Sequence, residues 1–295
     1  MNALTLPPSI VGARLKPYRT HVDWRQTTNF AAGIGDANPR YLDDTREEGL
    51  VAPPTYAVAV SWPLLAAIQD YIDVELRPEL LLGMVHYSEV LEIHRLIRPA
   101  DSLRLDGHVA ALLPHRKGSY LVLRLDAVDD RERLVHTEWI GALLRGVSCE
   151  GKGIGADVLP SPPKPAVELP DTPRWEALIE VPPQAPWVYD AASGIEFAIH
   201  TSRAFALQVG LPGPILQGTA SLAMAVRELI NREADGVPER LELLSARFLG
   251  MIEPGLTGTE IRIQLLARRE QDLYFRVLNA AGKTAIGDGY ARFSA

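Results

Sequence analysis

Alternating apolar and polar residues occupy the later part of each half of the chain and predict β-strands there. In one such run Leu121, Leu123 and Leu125 take every second position. The runs lie at 103–111, 120–128 and 134–144, and again at 259–267, 272–278 and 284–293. A strand-like segment ending in a proline turn precedes each set, at 88–101 and 241–255. Strands grouped in this way favour an antiparallel sheet over a parallel α/β sheet.

One helix-like apolar segment stands before the strands of each half. These segments are 56–71, with Pro63 in its middle, and 219–231. A proline inside a helical pattern is expected to kink or start the helix at that point. Each half is thus predicted to be one helix plus an antiparallel sheet, which is an α+β arrangement.

The two halves repeat the same order of elements at a nearly constant spacing. Asp36 and Ile195 are 159 residues apart, Gly49 and Gly210 are 161 apart, and Pro99 and Pro254 are 155 apart. Such an offset indicates an internal duplication. The alternative is a pair of unrelated α+β halves.

A proline-rich segment separates the halves. Residues 159–173 contain six prolines and no periodic pattern, which is typical of a semi-rigid extended connection. We therefore predict a first domain at 1–158, a linker at 159–180 and a second domain at 181–295.

Composition narrows the class of protein. The 295 residues are 47% hydrophobic and carry a formal net charge of −7, which disfavours nucleic acid as the main partner. The single cysteine, Cys149, excludes an intramolecular disulfide. The N-terminal residues lack a signal-peptide pattern, and no apolar run approaches the length of a membrane helix. We expect a cytoplasmic protein that binds neither nucleic acid nor membrane.

Common catalytic motifs are absent. The sequence has no glycine-rich nucleotide loop, no CxxC or HExxH metal motif and no GxSxG elbow. The candidate chemistry lies in two corresponding loops. The first reads GDANPRY from Gly35 to Tyr41, and the second contains His200 and continues to Pro214-Ile215-Leu216-Gln217-Gly218.

These loops resemble the MaoC-like dehydratase family, the R-specific enoyl-CoA hydratases of the "hydratase 2" type, in their double-hotdog form. The family motif runs roughly Tyr-x4-Gly-Asp-x-Asn-Pro-x-His, followed by a loop that ends in Pro-Ile-Leu-His-Gly. The resemblance implies a tandem hotdog fold, in which two antiparallel sheets each wrap a central helix. It also implies that a carboxylate and an imidazole hold one water, while a backbone amide at the helix start binds the thioester oxygen.

The second loop matches the motif at Tyr189, Gly194 and His200 but departs from it elsewhere. Ile195 stands at the aspartate position and Phe197 at the asparagine position. Isoleucine cannot transfer a proton, so the usual Asp/His pair within one loop is missing. Ile195 and Phe197 are expected to line an apolar pocket for the acyl group.

The helix start and the first loop show both matches and departures. Gln217 replaces the usual histidine before the helix, and Gly218 matches the glycine that offers the oxyanion amide. In the first loop Asp36 and Asn38 match, while Tyr41 stands at the histidine position.

Three interpretations follow for His200. It works with a carboxylate from elsewhere, such as Asp36 or Glu196; it acts alone as a base; or the protein binds acyl thioesters, or a partner subunit, without turnover. The resemblance thus makes His200 and Asp36 the candidate catalytic residues. The candidate substrate-binding residues are Asn38, Tyr41, Ile195, Phe197, Gln217, Gly218 and Arg247, the last for coenzyme A phosphates.

The predicted function is hydration of a 2-enoyl thioester or dehydration of a 3-hydroxyacyl thioester between the two hotdog units. The predicted partner is an acyl-CoA or acyl carrier protein thioester, with coenzyme A favoured. No cofactor is expected beyond coenzyme A as part of the substrate, and no metal. A homo-oligomer or a partner subunit is possible. The alternatives are a non-catalytic thioester-binding or scaffold subunit and a hotdog thioesterase.

Overall fold

A ten-stranded antiparallel sheet organises the molecule. The computed structural model describes residues 4–81, 83–165 and 168–295. The strands of the first half are β1 (Leu4–Leu6), β2 (Arg14–His21), β3 (Met84–Ile93), β4 (Ser102–His115), β5 (Gly118–Val128), β6 (Leu134–Arg145) and β7 (Val147–Cys149). Those of the second half are β8 (Trp175–Val181), β9 (Leu241–Phe248), β10 (Thr259–Arg269), β11 (Asp272–Asn279) and β12 (Thr284–Phe293).

The strand order shows two similar five-stranded units. It runs β2-β4-β5-β6-β3 in the first half and β9-β12-β11-β10-β8 in the second, with β1 and β7 forming a separate small pair. The sequence predicted eight strands in corresponding positions of the two halves, and all eight are present within the large sheet. The antiparallel α+β prediction is confirmed.

The two units join edge to edge through β3 and β9. In this pair Val90 lies opposite Ser245, and these residues are 155 positions apart, the same offset as Pro99 and Pro254. The approximate twofold axis of the duplication therefore passes between Val90 and Ser245. The two predicted sheets are thus one continuous sheet rather than two separate ones.

Helices cover one face of this sheet. In the first half they are α1 (Trp24–Gly33), α2 (Pro39–Leu42), α3 (Ala57–Ala66) and α4 (Ile68–Tyr71). In the second half they are α5 (Ala185–Ser193), α6 (Ala198–Thr201), α7 (Arg203–Gln208) and α8 (Gly218–Glu233). The central helices α3 and α8 bury at least half of their residues, because apolar side chains lie all round α3 and on a broad stripe of α8.

The first central helix is shorter than predicted. Pro63 lies within α3, and the helix ends three residues later at Ala66, before a second short helix, α4. Pro63 lacks the amide that would bond the carbonyl one turn earlier, which weakens the helix here. The second half has no such residue, and α8 runs unbroken for 16 residues.

The connection between the halves follows the outer face of the sheet. Ile154 pairs with Leu112, and Leu159 packs on a small outer cluster that includes Val122 and Trp139. Strand β8 begins at Trp175, inside the range predicted as linker, so the second sheet starts before residue 181. The division into two domains stays a prediction.

Helices α1 and α5, which precede the two loops, pack against each other near the twofold axis. A Cβ on Gly33 would lie 2.5 Å from Cβ of Ala192, so the close crossing requires glycine there. Phe30 is fully buried and lies with its ring 5.7 Å from Tyr189 of the other half. The two loops are therefore anchored to a shared core.

Candidate functional site

The loop of the second half begins where α5 ends. Gly194 has φ of +70° and closes α5 through its N–H to the Asp190 carbonyl, a conformation that favours glycine. The chain then turns into the short helix α6, which carries His200. Trp187 Nε1 donates a hydrogen bond of 3.0 Å to the carbonyl of Thr201, which holds α6 against α5.

His200 is oriented by a backbone carbonyl. Its Nδ1 lies 2.9 Å from the carbonyl oxygen of Ile215. That acceptor places the ring proton on Nδ1 in the neutral form, so Nε2 carries a free lone pair. Desolvation lowers the pKa of His200, while the bond to Ile215 opposes this effect. At neutral pH the ring is therefore a neutral base.

Ile215 precedes the amino end of α8 by three residues, so the imidazole lies beside the start of that helix. Gly218 is exposed. Among the described residues, neither its N–H nor that of Thr219 donates a hydrogen bond. Free amides at the positive end of a long helix suit a developing oxyanion. A Cβ at Gly218 would lie 2.7 Å from Cδ1 of Phe248, which explains the glycine.

Gln217 immediately precedes α8, but its side chain does not hydrogen-bond the amides of the helix. The side chain is 1% exposed, and Nε2 donates a 3.0 Å hydrogen bond to the carbonyl of Pro186. Its Oε1 is buried and receives no hydrogen bond from the described residues. A hydrogen-bond acceptor with no partner among the described residues, Gln217 Oε1, thus lies one residue before Gly218.

The two apolar replacements in the motif behave differently. Ile195 is buried in the main core, and its amide donates to Ser193 Oγ at 3.1 Å. Phe197 is 48% exposed, with its ring centroid 6.2 Å from that of His200. Ile195 therefore fills core space, while Phe197 offers an apolar surface next to the imidazole.

The first loop is a buried turn. Asp36 Oδ1 accepts the amide of Asn38 at 3.0 Å, and Asn38 Oδ1 accepts the amide of Arg40 at 3.0 Å, which starts α2. Tyr41 is fully buried, and desolvation raises its pKa well above the ordinary value. These contacts agree with a structural role for the Gly-Asp-x-Asn-Pro signature in this half.

The structure does not bring Asp36 to His200. Asn38 Nδ2 donates to the carbonyl of Gly236, just beyond the carboxyl end of α8, at 2.8 Å. Arg227, in the second half of α8, donates to the carbonyls of Ile34 and Gly35 beside Asp36. His200 lies near the opposite end of this helix, which is about 24 Å long. Asp36 therefore does not supply the carboxylate partner of His200 as the sequence suggested.

No other carboxylate takes that place. Glu196 is exposed, and its charge contributes to the raised pKa of Asp190. No ion pair among the described residues involves His200. The geometry agrees with the two remaining interpretations, in which His200 acts as a base without a carboxylate or the protein binds thioesters without turnover.

Arg247 is engaged elsewhere. It pairs with Asp288 at 2.7 Å and donates to the hydroxyl of Tyr87 at 2.8 Å. Neighbouring side chains on a strand point to opposite faces, so Arg247 lies on the other face of β9 from Phe248 and Gly218. Its proposed contact with coenzyme A phosphates stays a prediction.

Three polar residues near this site were missed from the sequence. His86 packs on Phe248 with ring centroids 4.6 Å apart, and Nε2 lies 3.0 Å from Glu89 Oε2. Glu138 of β6 completes the group. Residues three apart on a regular strand face opposite sides, but a bulge between His86 and Ser88 brings His86 and Glu89 to the same face. No sequence signal marks this bulge.

Two cavities lie away from His200. One of about 420 Å³ opens beside β2 and β4, around Arg19 and Arg104. The other, of about 230 Å³, is lined by Ile93, His94 and Glu239. Ile93 is 155 residues before Phe248, so the smaller cavity is the first-half counterpart of the region around Gly218.

Residues 4–81, 83–165 and 168–295 contain neither a cluster of metal ligands nor a helix that could span a membrane. Within that part of the chain, no three His, Cys, Asp or Glu side chains come together as metal ligands. None of the described helices combines the length and the apolar character needed to cross a bilayer.

Asp36→Asn is expected to leave kcat for the hydration predicted from the sequence within about twofold of the wild-type value, because Asp36 is outside hydrogen-bond reach of His200. Burial raises the pKa of Asp36 above the ordinary 3.8, so the folded state favours the neutral carboxyl. Stability from this group is present below about pH 4 and is lost as the pH rises. The variant cannot ionise at this position. Its urea midpoint should therefore rise relative to that of the wild type as the pH increases above about 4. A large loss of activity would contradict this placement.

Comparison with known proteins supports the same fold. Residues 165–275 match the MaoC like domain, and residues 9–137 match the FAS1-like, dehydratase domain region. The crystal structure of a MaoC-like dehydratase from Phytophthora capsici superposes with a TM-score of 0.82 at 20% identity, covering 97% of each chain. Solved neighbours also include a double hotdog protein. The tandem hotdog fold is confirmed.

Two curated relatives align with most of this chain. The peroxisomal multifunctional enzyme type 2 of Drosophila melanogaster is 25% identical over 90% of this chain, which spans 44% of that enzyme's length. The enoyl-CoA hydratase ChsH3 of Mycobacterium tuberculosis is 26% identical over 84% of this chain and 86% of its own. The chain is thus a double hotdog protein, and its resemblance to the MaoC-like dehydratase family is confirmed.

Proposed function

We propose that this chain adds water to the double bond of a 2-enoyl-CoA, or removes water from a 3-hydroxyacyl-CoA. The observation that carries the proposal is His200, held through Nδ1 by the Ile215 carbonyl beside the free amides of Gly218 and Thr219. The arrangement offers a base and an oxyanion donor next to each other, which this reaction needs.

The Gly218 amide, His200 and Phe197 each have a distinct role in this reaction. The thioester carbonyl oxygen accepts the amide of Gly218, so that negative charge developing there is stabilised by a donor already in place. His200 Nε2 accepts a proton from water while the oxygen of water bonds to C3 of the enoyl group, and the imidazolium then gives that proton to C2. The exposed ring of Phe197 offers apolar contact to the acyl-thioester chain. The name of the mycobacterial relative, an enoyl-CoA hydratase, agrees with this substrate class.

A non-catalytic thioester-binding protein is the second candidate. The observation that favours it is Ile195, which occupies the aspartate position and is 5% exposed within the core. His200 then lacks the carboxylate with which the family's loop holds water. In this case the site binds the thioester without adding water.

Purified protein with crotonyl-CoA separates these functions. A hydratase should remove the ultraviolet absorbance of the conjugated thioester without releasing thiol. Release of free coenzyme A, measured with a thiol reagent, would instead indicate a thioesterase. Binding of butyryl-CoA in calorimetry with neither signal, across several enoyl chain lengths, would contradict hydration and favour the binding protein.

A further inference from the structure

A second imidazole borders the start of α8, on the sheet side of the site. His86 contacts Phe248, and Phe248 in turn packs on Cα of Gly218. Gly218 is exposed, Phe248 is half-buried and the side chain of His86 is 33% exposed. We call the surface formed by Gly218, Phe248 and His86 the α8 opening.

The orientation of His86 leaves one nitrogen for a ligand. Nε2 lies 3.1 Å from the carbonyl oxygen of Ser88 and 3.0 Å from Glu89 Oε2. The Ser88 carbonyl can only accept a hydrogen bond, so it places the proton on Nε2, and Nδ1 carries the lone pair. Desolvation lowers the pKa of His86 to about 4, which keeps this ring neutral at neutral pH.

Behind His86 lies a chain of buried polar groups. The carboxyl groups of Glu89 and Glu138 lie close to each other, and Ser61 Oγ of α3 donates to Glu138 Oε1 at 3.1 Å. Glu89 and Glu138 are 0% and 1% exposed. Burial raises the pKa of both carboxyl groups, and their closeness adds to this for Glu138. The carboxyl pair thus backs the ring that faces the opening.

The fold does not require these residues. With the 155-residue offset set by Val90 and Ser245, Glu89 corresponds to Leu244 and His86 to Leu241. Both leucines are buried in the main core. The second half therefore packs the same positions with apolar side chains, whereas the first half keeps polar groups that are costly to bury. Such an exchange points to a function at the α8 opening.

We propose that His86 is a second catalytic residue of this site, and that Glu89 and Glu138 are positioning residues that hold it; this inference rests on the proposed hydration. Water has two O–H donors, and His200 Nε2 and His86 Nδ1 each offer one acceptor. His86 thereby takes the place of the motif aspartate that Ile195 replaces.

The step balances with a single water. The water oxygen forms a bond to C3 and gives one proton to an imidazole, while the π electrons of the double bond shift to the thioester oxygen at the Gly218 amide. The enolate then reforms the carbonyl, and C2 receives the proton from that imidazolium. The second imidazole keeps its hydrogen bond to the new hydroxyl. One water is consumed and both rings end neutral.

His86→Gln is expected to lower kcat on the enoyl-CoA that the wild type hydrates by about 100-fold, with KM within about threefold. The folded state is checked by circular dichroism and by the melting temperature. His86→Leu repeats the test with the residue found at the corresponding position 241. Glu242→Gln, an exposed change on the adjacent strand, serves as the control and should leave kcat unchanged.

Glu89 tests the positioning role. Glu89→Leu is expected to lower kcat about 30-fold while raising the melting temperature, because it removes a buried polar group. Glu89→Gln keeps an acceptor for His86 Nε2 and should retain kcat within about fivefold. A residue needed only for folding would show the opposite pattern, with stability and activity falling together.

The outcomes separate the two proposals. If the wild type hydrates enoyl-CoA and both His86 variants, folded, keep full kcat, the inference is overturned while the proposed function stands. A wild type that hydrates no enoyl-CoA overturns both. In the His86→Gln/His200→Gln double variant, a loss well below the product of the single losses would support a shared water.

Discussion

His200→Gln is expected to lower kcat for hydration by about 100- to 1,000-fold, a loss of roughly 3–4 kcal/mol of transition-state stabilisation. The reason is that Nε2 of His200 is the proton acceptor beside the helix start, since Ile195 occupies the position of the motif aspartate. Glutamine retains the size of the side chain and its contact with the Ile215 carbonyl, but it cannot accept a proton near neutral pH. KM should change little, because the oxyanion donors and Phe197 are untouched.

The pH dependence of kcat/KM tests the role of His200 independently of the substitution. Desolvation lowers the pKa of His200, so its basic form persists below the ordinary histidine value of 6.5. The acid limb of kcat/KM for the wild type should therefore lie below pH 6.5. His21→Gln, an exposed change at the far edge of the sheet, is the matched control. A His200→Gln variant with wild-type kcat, or an acid limb well above that value, would contradict the proposed base.

The sequence predicted the fold well because the duplication repeats every signal. Eight strands, the two central helices and their order follow from alternation, apolar segments and proline turns that occur twice at nearly equal spacing. Pro63 marked the weak point of the first helix. The sequence could not show that the two sheets join through β3 and β9, because the pairing of two edge strands depends on tertiary packing.

The site was only partly predictable. His200 and Gly218 lie near each other, joined through Ile215, as their motif implied. Asp36 lies toward the other end of α8, because the twofold axis places the two loops at opposite ends of the β3–β9 pair. Charge and motif spacing carry no information about that geometry. His86 and Glu89 were not assigned to the site for a related reason, since only the bulge at Tyr87 brings them to one face.

The shared core between the two loops carries the largest expected effect on stability. Phe30 of α1 is 0% exposed, and its ring lies 5.4 Å from Tyr56 and 5.7 Å from Tyr189. It therefore contacts both the entry of the first central helix and the helix that precedes the second loop. Removing its ring leaves a cavity on the approximate twofold axis, where neither half alone can close it.

Phe30→Ala is expected to lower the free energy of unfolding by about 3–5 kcal/mol and the melting temperature by about 10 °C. Trp24→Ala, on the same helix but 60% exposed, should change stability by about 0.5 kcal/mol or less. Urea denaturation followed by circular dichroism measures both variants. A single lowered transition is expected for Phe30→Ala, because the ring ties α1 to α5 and the halves also share the β3–β9 pair. Two separated transitions, with one unchanged from the wild type, would show instead that the halves unfold independently and that Phe30 stabilises only one of them.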